Sequence, residues 1–402
     1  ALQDVYGANN ATRATDTIYG FNSNAGDLYT FGIFRKTFCI WDGGGCDTLD
    51  TSLFISDQIL DLRAGHFSNT GSGIGNISIA DGTIIEKAIG GWGNDTLIAS
   101  DCFNGQLSGR NGDDTLISAA GSHILLGDDG NDTIIGSDQG WDTLDGGLGN
   151  DTLSGGKLAD TFTVSSGIDS ITDLGLGSAD REDLQIGPNA IANINIAGDW
   201  MPIFGTKSYN DGTANINTNG FKIDLRYIRV GINGFSIFAN GSPNSIVGSG
   251  RNDKIVGGGS SDALDGFLGD DVILGGLGND TIDGGDGVDT VDFSDKSLSV
   301  ILALNTFIIA NVLVGGLVED TVQNVENIIG GAAADYLSGD NQSNKIEGGS
   351  GKDTLRGGGG SDFLDGGLDS DTVDYSDKTT SVSVTLSGAN DATVLVLSLI
   401  HI

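Results

Sequence analysis

Between Gly248 and Asp292 the chain repeats one nine-residue unit without a gap: GSGRNDKIV, GGGSSDALD, GFLGDDVIL, GGLGNDTID, GGDGVDTVD. Each unit is a glycine-rich turn of six residues followed by three that alternate. Asp253, Asp262, Asp271, Asp280 and Asp289 close the turns, always nine apart. Three residues make a minimal strand with one apolar side chain facing inward. A single unit buries almost nothing and must stack on its neighbours. A flexible Gly/Asp linker would share the composition but has no reason to place Ile, Leu or Val two residues after every Asp. The period therefore predicts an all-β fold built from parallel β-roll blocks.

The same spacing predicts a metal chemistry. Glycine reaches positive φ at little cost, so a tight turn can aim its carbonyl oxygens inward. The Asp adds a carboxylate, and carbonyl plus carboxylate oxygen suits a hard cation such as Ca²⁺. Composition agrees: 402 residues carry a formal charge of −36 and 67 Gly against 3 Pro. Nearly all the acid is Asp, with Glu only at positions 86, 182, 319, 326 and 347. A generic solvated acidic surface would use both acids, whereas the shorter one fits a tight turn. This charge argues against nucleic acid or an anionic membrane as partner. Without cations the chain should repel itself, which makes metal binding and folding one event. Cys39, Cys46 and Cys102 are too few for a disulfide framework, although Cys39 and Cys46 could pair across a loop or stay free. No stretch is apolar for long enough to span a membrane, so no membrane insertion is expected. The chain opens on Ala1 without a cleavable signal, and an upstream part is expected to be missing.

Two further blocks carry the pattern. The first starts at Gly90 with GGWGNDTLI, and looser copies close at Asp114, Asp132, Asp142, Asp151 and Asp160. Asn104 and His123 occupy turns where Asp is expected; His123 reads as a degenerate repeat position rather than a metal ligand. The other block, from Gly330, places Asp335, Asn344, Asp353, Asp362 and Asp371 each 82 residues after its counterpart in the block that begins near Asn244. TVDFSDK (290–296) recurs as TVDYSDK (372–378), SVILAL (299–304) as SVSVTL (381–386), and ANVLV (310–314) as ATVLV (392–396). The C-terminal half is thus a tandem duplication of nonapeptides followed by a strand-rich spacer. From Leu397 the match stops, and 397–402 read as a sequencing-adapter artefact that leaves His401 without meaning. Residues 186–240 have β-type sequence with no legible period, as an insert or a cap. The expected domains are 1–88, a β-sandwich-like part of short strands; 89–185, the first roll; 186–240; 241–329; and 330–396.

The segments LQDVYGANNATRATDTIYGFNSN (2–24), FCIWDGGGCDTLDTS (38–52) and NISIADGTIIEKAIGGWGNDTL (76–97) resemble the C-terminal calcium-binding domain of the serralysin-type secreted metalloproteases. The resemblance covers residues 1–185, with additional RTX repeat modules beyond it. It implies calcium ligands at Arg13, Thr15 and Thr17, at Asp42, Gly44, Gly45 and Asp47, and at Ile84 and Glu86. Thr15 and Ile84 depart from the family's usual residues, which a backbone-oxygen ligand would survive. It also implies that the strands after Thr161 close the first roll. In the repeats it implies ions between turns 18 residues apart, held by carbonyls at turn positions two and four and by the Asp at six. In the first block these are Gly91, Gly93 and Asp95, Gly112 and Asp114, Gly130 and Asp132, Asp142, Gly147, Gly149 and Asp151, and Asp160. In the second they are Asp253, Gly258 and Asp262, Gly269 and Asp271, Gly276, Gly278 and Asp280, and Gly285, Gly287 and Asp289. In the third they are Asp335, Gly349, Gly351 and Asp353, Gly358, Gly360 and Asp362, and Asp371.

The resemblance further implies a Gram-negative bacterial protein, exported by type I secretion machinery and folded by several Ca²⁺ ions outside the cell. Zn²⁺ would belong only to a missing catalytic domain. The residues themselves show no catalytic site. A metzincin needs HExxHxxGxxH, and His66, His123 and His401 lie far apart outside any such motif. No G-x-S-x-G elbow exists, and Met201, in DWMPIF, reads as a packed apolar residue. The parent is expected to be a zinc metalloendopeptidase. The alternative is an RTX surface or adhesion protein, or a polysaccharide-modifying enzyme, which the modules beyond residue 240 keep open.

Overall fold

A computed structural model describes residues 13–32, 36–176, 182–202, 208–228, 230–306 and 308–378, and every regular element among them is a strand. The chain divides into two compact units, Ala1–Ala214 and Asn215–Ile402. Residues 1–12 and the segments 381–386, 392–396 and 397–402 lie outside the described residues.

In the first unit the chain alternates between two parallel sheets, one strand of each per coil. One sheet takes Ile18–Gly20, Thr48–Asp50, Lys87–Ile89, Gly105–Asn111, His123–Asp129, Thr143–Asp145, Thr161–Val164 and Asp183–Ile186 in order. The other takes Ile59–Asp61, Thr96–Ile98, Thr115–Ile117, Thr133–Ile135, Thr152–Ser154, Ile168–Leu174 and Ile191–Ile196. The central residue of each short strand points inward. Leu97, Leu116, Ile134, Leu153, Ile171 and Ile194 are in register and fully buried. Each such side chain contributes about 1.5–3 kcal/mol on leaving water. A single coil supplies only two of them, so the column is the core.

The N-terminal residues mostly enter these same sheets. Sandwich-like pairing is confined to a small sheet in which Phe38–Ile40 runs parallel, and Phe67–Ser68 antiparallel, to Ile77–Ile79. Phe21, Phe31, Phe38 and Phe54 pack beside it, with ring centroids 4.9–6.0 Å apart. The strands after Thr161 do not close the roll. Ile168–Leu174 pairs in parallel with Ile191–Ile196, and Asp183–Ile186 with Tyr209–Asn210, because Ala192, Ile194 and Ile196 extend the apolar column. Ile191–Ile196 and Tyr209–Asn210 thus continue the two parallel sheets, at spacings that leave no nine-residue period.

In the second unit Ile237, Ile255, Ile273, Val291, Ile328 and Ile346 form one buried column, and Ile223, Ile246, Leu264, Ile282 and Val322 the other. The spacer folds as a three-stranded antiparallel excursion of Val300–Ala303, Ala310–Val314 and Leu317–Gln323. Its last strand lies parallel to Thr281–Asp283 and its first parallel to Tyr336–Ser338, so the sheet continues through it. No helix among the described residues is long and apolar enough to cross a membrane. Cys39, Cys46 and Cys102 are free thiols.

Candidate metal centre

The turn aspartates form rows along the coil edges. Asp262 accepts the backbone N–H of Asn244 through Oδ1 at 2.7 Å, Asp280 that of Asp262 at 2.8 Å, and Asp320 that of Asp280 at 2.8 Å. Asp271 and Asp289 do the same for Asp253 and Asp271, at 2.7 and 2.8 Å. In the first unit Asp114, Asp132, Asp151 and Asp169 form a row with donor–acceptor distances of 2.6–3.0 Å, and Asp142 and Asp160 another. Asp353 and Asp371 accept from Asp335 and Asp353, and Asp362 accepts from Asn344. Asp262 and Asp280 therefore share one edge, as a coil of two nonapeptides demands.

In most members of the rows only one carboxylate oxygen is used. The Oδ2 atoms of Asp114, Asp132, Asp151, Asp160, Asp169, Asp262, Asp271, Asp280, Asp289, Asp320 and Asp353 are buried and accept no hydrogen bond from the protein. A carboxylate oxygen taken out of water without a donor is costly. The protein answers by raising the pKa: burial pushes Asp114 and Asp271 up to about 8 and Asp160 to about 9, with neighbouring aspartates adding to it. A divalent cation would hold these oxygens ionised.

The turn backbone supplies the complementary oxygens. Gly276 and Gly278 have φ of +90° and +134°, and a Cβ there would lie 2.1 Å from the Gly258 carbonyl oxygen and 2.4 Å from that of Ser260. The same close stacking runs through Gly112, Gly130 and Gly149. Among the described residues no three carboxylate, imidazole or thiolate groups converge on one point. Any ion here takes most of its ligands from carbonyls, which suits calcium and not zinc. The donor set thus fits Ca²⁺.

Most of the N-terminal candidates are linked by hydrogen bonds rather than gathered on one point. Asp47 Oδ1 accepts the N–H of Thr17 at 2.8 Å, and Glu86 Oε2 that of Asp47 at 2.6 Å. Thr17 Oγ1 donates to the Thr15 carbonyl, Arg13 to that of Trp41, and Tyr19 to Asp42 Oδ2 at 2.5 Å. Gly44 N–H donates to Asp42 Oδ1, and Gly45 packs on the Thr15 backbone. Asp47 Oδ2 is buried without a donor, and its pKa rises to about 7 through burial, Asp42 and Glu86. The Ile84 side chain is half exposed, leaving only its backbone for a ligand.

Four predicted aspartates are placed differently. Asp95, Asp142, Asp253 and Asp335 accept through Oδ1 from Gln58, His123, Phe235 and Val300 rather than from another Asp, and Gly91, Ser137, Ser249 and Gly331 donate to their Oδ2 atoms at 2.5–2.7 Å. They offer no free oxygen. His123 stands in register with Asp142, and its ring meets the carbonyls of Gly121 and Ser100 at 3.1 Å each. Other members of the rows escaped the sequence reading. Asp169, Asp320 and Glu326 accept the N–H groups of Asp151, Asp280 and Asp289. Asp320-Thr321-Val322 repeats the order of Asp280-Thr281-Ile282, which was the available signal. A second row was also missed: the position-five side chains of Asn94, Asp113, Asn131 and Asn150 each accept the N–H of the next coil at 2.8–3.0 Å.

Stacked Gly/Asp turns with unsatisfied inward oxygens define a calcium-binding parallel β-roll of the RTX class. The comparisons say the same by region. Residues 8–201 match the peptidase M10 serralysin C-terminal family, and four copies of the RTX calcium-binding nonapeptide repeat match at 238–266, 265–295, 324–354 and 338–373. The chain therefore carries a serralysin C-terminal domain followed by RTX repeats. It is 50% identical to serralysin of Proteus mirabilis over 107 residues, 26% of this chain and 22% of that protein. It is 51% identical to metalloprotease AprA of Pseudomonas entomophila over 107 residues, with the same coverage, and 52% identical to serralysin B of Dickeya chrysanthemi over 101 residues, 24% of this chain and 21% of that one. The matched stretch spans about a fifth of the length of these relatives.

Proposed function

We propose that this region is a calcium-driven folding unit of a secreted protein. The observation that carries the reading is the set of buried Oδ2 atoms that lack a protein donor, in closely stacked glycine turns. In a calcium-poor cytosol, ions would be too scarce to offset a charge of −36, and the chain would stay threadable for a type I channel. Outside the cell, calcium would fill the rows and fold the roll. Circular dichroism of the chain in EDTA should lack the β signal, and added Ca²⁺ should restore it. A spectrum indifferent to both refutes the proposal.

The identity to serralysins, with the serralysin C-terminal match over residues 8–201, supports a zinc metalloendopeptidase as the parent, with its catalytic residues outside this chain. The second unit matches only the RTX repeats, which favours the other reading of a surface protein or polysaccharide-modifying enzyme. The coding sequence upstream of Ala1 discriminates: an HExxHxxGxxH motif selects the protease.

A further inference from the structure

Where the nonapeptides of the row through Asp262 and Asp280 give way to the spacer, a lysine meets the turn. Lys296 follows the strand Thr290–Asp292, where the nonapeptide breaks into SDKSLS, and its side chain is only 4% exposed. A buried ammonium must place its three N–H groups on acceptors. Lys296 Nζ donates to the carbonyl of Gly276 and to the carboxylate of Glu319. Gly276 is turn position two of the coil beneath, one of the carbonyls a calcium ion between stacked turns would use. The same charge reaches Asp280, which closes that turn, and Asp320 above it. The arrangement recurs in the duplicate. Lys378 Nζ donates to the carbonyl of Gly358, and its charge reaches Asp362. Gly358, Asp362 and Lys378 are the counterparts, 82 residues on, of Gly276, Asp280 and Lys296. An ammonium held at that carbonyl competes with, and repels, a cation arriving from solution.

We propose that Lys296 and Lys378 are tethered cations that take the calcium position at the last nonapeptide turn on one edge of each module, so that edge is closed before the spacer by the chain itself. The inference rests on the calcium reading of the stacked turns. Because the lysine comes from the following turn, it reaches Gly276 only once residues 293–299 have folded back over the coil. Completion of the ion row and docking of the spacer thereby become one step.

The test uses the full chain and the variants Lys296→Gly and Lys296→Arg. Bound calcium is measured by equilibrium dialysis with metal analysis, and hydrogen exchange is followed over residues 272–302 as calcium is raised. Lys296→Gly should bind one more Ca²⁺ per chain at saturation. Failing that, it should lose protection over 272–302 at calcium levels where the native chain is protected, while Lys296→Arg keeps it. Native stoichiometry and protection in Lys296→Gly would overturn the proposal. So would equal loss of protection in both variants without a gained ion, since only the lysine stem would then matter. A native chain that binds no calcium removes the underlying reading, and that result is visible before any variant is made.

Discussion

Asp271 shows how much one residue holds. Its Oδ1 accepts the amide of Asp253, its own amide donates to Asp289, and its Oδ2 is left for a cation. Asp271→Ala should strand a buried amide at a cost of about 1–3 kcal/mol and raise the calcium concentration at the folding midpoint, read by circular dichroism; an unchanged midpoint would exclude the role. The raised pKa values set a pH dependence. Burial holds Asp271 at about 8 when folded, against 3.8 in the open chain. Without metal the folded state binds protons that the unfolded state has released, so metal-free stability is greatest below about pH 4 and falls as pH climbs to about 8. In EDTA, β-type signal should be stronger at pH 5 than at pH 8, and a flat profile would contradict the burial of these groups. The Asp rows were legible because the interval is constant. Asp320 and Glu326 were not, since forty and thirty-seven residues separate them from the amides they serve.

At the scale of the coil, apolar burial and backbone contact make separate demands. Ile282 is fully buried between Leu264 and Val322. Ile282→Ala should cost about 2–5 kcal/mol in urea unfolding of the calcium-loaded chain. Glycines divide by surroundings rather than by φ alone. Gly316, at φ +88°, has nothing within 4 Å of an added Cβ, whereas at Gly278 that atom would strike the Ser260 carbonyl. Gly316→Ala should cost about 1–2 kcal/mol of left-handed strain. Gly278→Ala should cost clearly more, because coils must also separate; equal urea midpoints would contradict the close stacking. The alternation of turn and three-residue strand foretold these coils wherever the period held. It foretold nothing for Ile191–Ile196 and Tyr209–Asn210, whose spacing departs from nine although they take the same parallel register.

At the scale of the whole chain, the two units carry different reporters. Trp41, Trp92, Trp141 and Trp200 all fall in the first, and Trp200 is fully buried. Tryptophan emission during a calcium titration should follow the first unit alone, while proteolytic protection of residues 244–373 follows the second. An emission change that tracks only the second unit's protection would contradict that division. The β-roll class was readable from one stretch of 45 residues. The spacer's strands were expected, but their pairing was not, because pairing between strands distant in sequence leaves no local period. That spacer has a wider consequence. The row from Asp262 through Asp280 to Asp320 keeps hydrogen bonds of 2.8 Å whether eighteen or forty residues lie between donor and acceptor. The lattice registers where a carboxylate arrives, not how long the chain took to bring it, so foreign segments grafted at the Gly315–Gly316 turn should leave the neighbouring ion sites intact.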